Sequence, residues 1–492
     1  MNMEIRNQLF IGGEWVNSSD KAAFPTTNPA TNEVITEVQQ GSEKDLIRAV
    51  ENARKTFDDV WSRTTPFERS ALLHKAAAAV EKNLLFLAKV ETDDVGKPIF
   101  ESTNIDIASA AATLHYFADI CVEVMGDTKA TPYSQVFDYT IREPRGVIGA
   151  IIPWNFPFLT AARKIGSALA AGNTMVIKPA SWAPLSTLLF GELFTEAGMP
   201  GGVLNIVPAK GASTGKVFTE NPHIDEISFT GSTAVGRGLY AKCDRTLTGC
   251  TLELGGKSPG IVMPDCDMDE TIAGTLFGVY LNQGECCCGL TRLIVHEDVY
   301  DEFVEKFIAG AKAIKVGSPA HEATRLGPLV HPEHLKTVMD YVETGKQEGA
   351  KLVCGGRALK TGEFAKGNYM EPSVFTNVTP EMTVWKEEIF GPVVTITQAK
   401  NVDEMIQLAN DTEYGLAASV WTNNLRLAHS IAPKIQAGTV WFNLHNFVFP
   451  SCPYTGYKAS GVGSELGKEG VLALTRPKSV MISLFPGGFK WY

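Results

Sequence analysis

The chain has 492 residues, 44% of them apolar and 20% charged, a balance ordinary for globular proteins at a length that calls for two or three domains. A net charge of −11 argues against nonspecific nucleic-acid binding and a polybasic membrane surface, and no run of roughly 18 uninterrupted apolar residues supports a transmembrane helix. Residues 1–8 lack the basic and then apolar build of a signal peptide, and the nine cysteines, an odd number, argue against a disulfide framework, which together imply reduced thiols and a cytoplasmic location.

Leu9–Ile11 and Glu14–Val16 flank Gly12-Gly13, a hairpin signal. Ser42 is placed to cap a helix running through Leu46, Val50 and Ala53 to Phe57, with acids in its first turn. Further helices are expected over 66–90, with Ala76–Ala79 as interior, and over 107–125. Residues 126–145 are polar and β-leaning and read as an arm leaving the domain. From Gly146, strands (147–152, 174–178, 203–207, 226–229, 250–254) alternate with helices (158–171, 185–197, 212–219, 233–242). Such alternation predicts a parallel sheet covered by helices, with ligands outside the carboxyl ends of its strands at a switch point. After Gly255-Gly256 the alternation restarts, with strands at 259–263, 292–296, 393–397, 418–422 and 439–443 and helices at 269–281 and 299–314. A last strand, 479–485, is expected to be free to pair with a partner chain. The expected fold is α/β, divided into 1–122 with 146–255, then 256–472, with 123–145 and 473–492 as the arm.

Unusual residues gather in the loops between these elements. Pro153-Trp154-Asn155-Phe156-Pro157 fixes the backbone around one Asn, whose amide either donates to a developing oxyanion or caps its own turn. Lys178-Pro179 ends a strand, where the amine either reaches a ribose or phosphate or stays in solvent. The stretch Phe229-Thr230-Gly231-Ser232 places Gly in a strand-to-helix turn open to a phosphate, although it is not G-x-G-x-x-G. In Leu252-Glu253-Leu254-Gly255-Gly256-Lys257 a Glu lies between two leucines; burial there raises a carboxyl toward a general base, unless it is simply bound to backbone. Cys286, Cys287 and Cys288 follow Asn282-Gln283-Gly284-Glu285. Adjacent side chains diverge, so the trio is a poor metal cage and no metal site is expected. It is either a reactive thiol in a turn or a set of buried small hydrophobes.

With Glu387-Glu388-Ile389-Phe390-Gly391-Pro392 added, these stretches resemble the aldehyde dehydrogenase superfamily, in the right order and over nearly the whole chain. The resemblance implies a Rossmann-type NAD(P)-binding domain, a second α/β catalytic domain and a β oligomerisation arm. It implies that Cys287 attacks the aldehyde carbon and forms a thiohemiacetal, with Asn155 and the Cys287 backbone N–H holding the oxyanion. Hydride transfer to nicotinamide then leaves a thioester, which water activated by Glu253 hydrolyses; covalent capture splits one difficult oxidation into two easier steps. Cys286 and Cys288 are neighbours able to trap an oxidised Cys287. The cofactor, NAD or NADP, is implied to place its pyrophosphate at Gly231 and Ser232, its adenosine ribose at Lys178 and Ser181, and its nicotinamide ribose and ring at Glu388 and Phe390, with Ile152, Trp154 and Leu254 beside it. A homodimer or homotetramer is implied, joined through the arm and tail.

Two departures from the family pattern bear on function. Many NAD-preferring relatives carry Glu where this chain has Ser181, three residues after Lys178; without that carboxylate, NADP is expected to be tolerated. At Arg163, broad-range and betaine-aldehyde relatives carry Trp, whereas relatives acting on succinic semialdehyde or small hydroxyaldehydes carry Arg. A guanidinium favours a carboxylate or polar oxygen and opposes a cationic aldehyde. A second Arg of the succinic-semialdehyde relatives is Leu281 here, and Phe156, Tyr280, Phe447 and Tyr454 suggest an aromatic tunnel. The alternative is therefore a broad aromatic or aliphatic aldehyde dehydrogenase. A CoA-acylating relative usually lacks the Glu, and a silent structural homologue would have lost the nucleophile or a cofactor contact; neither loss is visible.

Overall fold

Gly12 and Gly13 take φ values of 70° and 87°, which close a two-residue turn without strain, and β1 (Leu9–Ile11) pairs antiparallel with β2 (Glu14–Val16). The computed structural model describes residues 3–243, 247–488 and 491. A hairpin with no expectation behind it follows, β3 (Ala23–Thr27) and β4 (Val34–Gln39). Ser42 and Asp45 bond reciprocally to each other's backbone at the start of α1 (Glu43–Asp59). The helix expected over 66–90 is two, α2 (Pro66–Lys82) and α3 (Leu84–Val95). They part at Asn83, whose side chain donates back to the Ala79 carbonyl at 2.8 Å and competes with the helix's own bonding.

The next helix begins earlier than expected. A short α4 (Ile99–Glu101) widens into π-helical geometry over Ser102–Ile107 before α5 (Ala108–Ile120). Together the run Ile99–Glu123 has the length and mean hydropathy, 1.3, of a membrane span, but half of it is buried inside the protein, where α5 packs on α2. Then β5 (Thr128–Lys129) and β6 (Val136–Pro144) leave as the arm.

The first alternation follows closely: β7 (Val147–Ile151), α6 (Pro157–Ala170), β8 (Thr174–Lys178), α7 (Leu185–Leu188), α8 (Phe190–Glu196), β9 (Leu204–Ile206), α9 (Ala212–Glu220), β10 (Glu226–Thr230), α10 (Thr233–Tyr240) and β11 (Gly249–Glu253). Strands β7, β8 and β10 are buried along nearly their whole length, as a sheet covered on both faces requires. The second alternation supplies β12 (Ser258–Val262), α11 (Met268–Tyr280), β13 (Leu290–His296), α12 (Tyr300–Ala313), α13 (Pro332–Gln347), β14 (Lys351–Cys354), β15 (Ser373–Thr376), β16 (Val393–Ala399), β17 (Tyr414–Gly415), β18 (Ala417–Trp421) and β19 (Thr439–Phe442); α13, β14 and β15 were not expected. Three short or peripheral strands close the chain, β20 (Tyr457–Lys458), β21 (Gly461–Val462) and β22 (Thr475–Ser483).

The first sheet runs β2-β1-β9-β8-β7-β10-β11-β21, parallel from β9 to β11. Its chain winds outward from β7 in both directions, so the switch point lies between β7 and β10. The second sheet runs β14-β15-β16-β13-β12-β18-β19 and is parallel except at β14. Only Leu254–Lys257 joins β11 to β12, so the carboxyl end of the first sheet abuts the amino end of the second.

One expectation differs here. Residues 461–472, assigned from sequence to the second domain, pack with the first: β21 covers the free edge of β11, and Leu466 and Val471 join the core that holds α2, α5 and α6. An uncovered edge and apolar face would otherwise meet water. The tail strand β22 pairs along one edge with β6 of its own chain, from Thr475↔Pro144 to Ser483↔Val136, with β5 beyond, and stands at the edge of that three-stranded sheet.

Candidate active site

A cavity of ≈ 490 Å³ opens at the switch point, between the carboxyl ends of the first sheet and the amino end of β13. It gathers nearly all the residues singled out from sequence: Ile152, Trp154, Asn155, Phe156, Arg163, Lys178, Ser181, Gly231, Ser232, Glu253, Leu254, Cys287, Glu388, Phe390 and Tyr454. Tyr280 is a correction. It faces α12 from α11, buried against Phe307 at 6.3 Å in the core of the second sheet, and is not among the lining residues. Phe447 also stands outside the wall, 52% exposed, while its neighbours Asn446 and Val448 line it.

The thiol loop is held in an unusual backbone. Asn282, Gln283 and Gly284 take φ values of 50°, 56° and 72° in succession. Left-handed non-glycine residues each cost about 1–2 kcal/mol, so surrounding bonds must hold them. The Asn282 N–H donates to Glu101 Oε2 at 2.9 Å, and its side-chain amide donates to the carbonyls of Asn155 at 2.8 Å and Glu285 at 3.0 Å. Asn155 Nδ2 donates to the same Glu285 carbonyl at 2.9 Å. One of its two amide hydrogens is thereby spent on orientation, leaving the other for the cavity the residue lines. At Gly284 a Cβ would fall 2.3 Å from the Gly391 carbonyl oxygen, so the loop also depends on the missing side chain.

Cys286 and Cys288 are buried, their sulfurs 3.6 Å apart, and Cys288 lies 3.3 Å from Asn446 Oδ1. Cys287 is less buried, with its sulfur 3.9 Å from the Tyr454 hydroxyl. Contact with Cys286 favours its ionisation, but contact with Cys288 and burial outweigh it and push the Cys287 thiol up to about 12. The thiol becomes a nucleophile only once that proton has left. The two glycines after Leu254 pack tightly around the loop: a Cβ at Gly256 would meet the Cys287 carbonyl at 2.4 Å, and one at Gly255 would meet Glu388 at 2.3 Å.

Glu253 is the candidate base for activating water. It is 3% exposed, and neither carboxyl oxygen has a hydrogen-bond partner among the described residues. Burial, then the nearby Glu465, push its carboxyl well above the ordinary range. Glu465 is bound at 2.5 Å by Lys164, which also donates to Ser228 Oγ at 2.9 Å. Sequence reasoning missed both. Lys164 left a trace, as a buried charge in an otherwise apolar helix; Glu465 left none, because chain folding alone brings it there.

The cofactor side fits an extended phosphate-bearing molecule. Gly231 follows β10 at the N-terminus of α10, and a Cβ there would strike the Phe229 ring at 2.6 Å. The helix N-terminus favours negative charge, and the glycine keeps its backbone approachable. Among the described residues Lys178 finds only its neighbour's Pro179 carbonyl, at 3.4 Å, and burial lowers its amine to about 8. Glu388 accepts the Gly256 N–H at 3.0 Å. On the far side, the Arg163 guanidinium has no ion pair among the described residues and lies over the Tyr454 ring at 5.9 Å.

A model of the aldehyde dehydrogenase family matches residues 15–480. The mitochondrial aldehyde dehydrogenase of Homo sapiens is 43% identical over 481 residues, 97% of this chain and 92% of that protein. An aldehyde dehydrogenase from Bacillus cereus, solved as an NAD+ complex, superposes with a TM-score of 0.95 at 40% identity, over 98% of this chain and 97% of that one. A betaine aldehyde dehydrogenase from Staphylococcus aureus, in complex with NAD+, superposes with a TM-score of 0.97 at 34% identity, over 99% of this chain and all of that one.

Proposed function

The chain belongs to the aldehyde dehydrogenase family, and from that premise we propose that it oxidises an aldehyde bearing a carboxylate or polar oxygen to the carboxylic acid, with NAD or NADP. Cys287 adds to the carbonyl carbon once its proton has left, and the oxyanion is received by the Asn155 amide and the Cys287 backbone N–H. Bound along Gly231, Glu388 and Phe390, a nicotinamide dinucleotide supplies the hydride acceptor. The thioester left on Cys287 is attacked by water whose proton Glu253 takes, releasing the acid and restoring the thiol. The negative charge of Glu465, which is held by Lys164, makes Glu253 a stronger base for that proton.

The observation that carries the substrate class is the Arg163 guanidinium in the cavity wall without an ion pair among the described residues. A charged donor at a half-buried wall favours an anionic or hydroxylated aldehyde and opposes a cationic one such as betaine aldehyde. Steady-state turnover followed at 340 nm tests this with succinic semialdehyde, glycolaldehyde, benzaldehyde, hexanal and betaine aldehyde. Preference for the first two supports it; preference for benzaldehyde or hexanal, unchanged in Arg163→Trp, sinks it. The second reading, a broad apolar specificity, has its own support in Phe156, Leu159 and Val448 in the same wall.

Ser181 carries a separate proposal. It stands in the wall with Lys178, where it offers no carboxylate to repel a 2′-phosphate, so NADP is accepted alongside NAD. A KM for NADP a thousandfold above that for NAD would refute this. The arm supports assembly into a dimer or tetramer: Phe137, Met481, Ile482 and Leu484 are exposed apolar residues on or beside its small sheet.

A further inference from the structure

His334 lies in the first turn of α13 with its ring turned inward, the side chain 11% exposed. Its Nε2 is 2.7 Å from the Phe390 carbonyl oxygen and 3.6 Å from Glu285 Oε1. Those two atoms belong to separate segments, the stretch before β16 and the thiol loop. Phe390 forms part of the cofactor wall and is a non-glycine residue at φ 60°, a conformation that needs outside support. Glu285 is the residue whose carbonyl holds the amides of both Asn155 and Asn282. The imidazole also meets the Trp154 ring edge-on at 5.1 Å, and Trp154 meets Phe390 edge-on at 5.3 Å. Trp154 immediately precedes Asn155.

The protonation follows from the surroundings. Burial lowers the His334 imidazole below its ordinary value, so it is neutral near pH 7, and burial pushes the Glu285 carboxyl well above its usual range. Glu285 Oε1 already accepts the Val330 N–H at 3.0 Å. Nε2 faces only oxygen acceptors, so it carries the hydrogen and gives it to the nearer one, the Phe390 carbonyl.

We propose that His334 is a positioning residue that ties the cofactor wall to the oxyanion loop. Its Nε2–H holds Phe390 in the left-handed turn, and its ring bears on Trp154 and Glu285, which set the place of Asn155. Contact of a cofactor with Phe390 is then felt at the nucleophile loop, and the reverse holds by linkage. The inference rests on the reading of Phe390 as a cofactor contact.

The test compares His334→Gln, which keeps an N–H donor, with His334→Met, of similar length but without one; His334→Ala replaces the latter should it not fold. Two quantities are read on full-length enzyme: KM for NAD against kcat, and the rate of Cys287 alkylation by iodoacetamide with and without NAD. Loss of one supported hydrogen bond predicts a KM for NAD about tenfold higher in the Met variant and an NAD effect on alkylation cut to about a third, with the Gln variant within about threefold of wild type. Unchanged KM and unchanged NAD effect in a folded Met variant overturn the proposal. So does a Gln variant as impaired as the Met variant, or a wild-type enzyme whose alkylation ignores NAD. Phe390→Ala, measured alongside, separates the two levels: if it leaves the KM for NAD unaltered, the Phe390 reading has failed instead.

Discussion

Glu253 and Cys287 pose one problem in two places, since each is held toward its protonated form, Glu253 by burial and Cys287 by contact with Cys288 and then burial. The reactive forms, carboxylate and thiolate, therefore grow as pH rises, and turnover is expected to climb through the neutral and alkaline range. Glu253→Gln removes the base that serves hydrolysis. Base removal at such sites costs on the order of 10²–10⁴-fold, so the variant should give a stoichiometric burst at 340 nm followed by turnover slowed by at least about a hundredfold. A variant that turns over at the wild-type rate would take Glu253 out of the mechanism. Lys164 belongs to the same argument. Its replacement by Met leaves Glu465 as a carboxylate without its cation, which raises Glu253 further, so the alkaline rise should move to higher pH.

The thiol loop shows how one element stores the geometry the chemistry needs. Three successive left-handed residues are tolerable only because Glu101, Asn155 and the carbonyl of Glu285 bind them and because Gly284 has no side chain. Gly284→Ala adds left-handed strain of about 1–2 kcal/mol and forces a Cβ within 2.3 Å of the Gly391 oxygen. The expected outcome is a lower melting temperature together with at least a tenfold fall in Cys287 alkylation by iodoacetamide. An unchanged alkylation rate would mean the loop geometry does not set thiol presentation.

At the scale of the molecule, the fold buries many acids. Burial raises Glu91, Asp94, Glu226 and Glu388 to about 7 and Glu101 to about 8. The unfolded chain releases those protons near the ordinary carboxyl values, 3.8 to 4.5, while the folded chain keeps them. Between those limits the native state binds more protons, so each group's contribution to stability falls as pH rises. His445, lowered to about 3, opposes this below its ordinary 6.5, as do His331 and His334, also lowered by burial, but they are fewer than the raised acids. Above neutrality Lys257, lowered to about 7, and Lys178, to about 8, reverse the sign, because the unfolded chain would take up protons there. The melting temperature should therefore fall from pH 5 to pH 7 and level off above pH 8; a steady rise over the lower range would contradict the assignment. The arm makes a prediction of the same scale: deleting 475–483 uncovers β6, and light scattering should then report a smaller assembly than the full chain forms.

What the amino-acid sequence determined by itself was local and periodic. Alternating apolar strands and amphipathic helices announced the first sheet except β21, and five of the seven strands of the second, within a residue or two, because burial pattern and period are properties of short stretches. The Gly-rich turns, Glu253, Asn155 and the trio Cys286–Cys288 were visible because each sits in an unusual local setting of Gly, Pro or Leu, while the choice of Cys287 within the trio came from the family resemblance. Only the tertiary structure decided the rest. The split at Asn83 turned on one side-chain bond to the Ala79 carbonyl. The return of β21 to the first sheet turned on an open strand edge more than two hundred residues away in the chain. Tyr280 was removed from the cavity by the face α11 turns toward α12. Glu465, Glu101 and His334 entered the site from distant segments, since hydrogen bonds across such separations leave no mark on the spacing of residues.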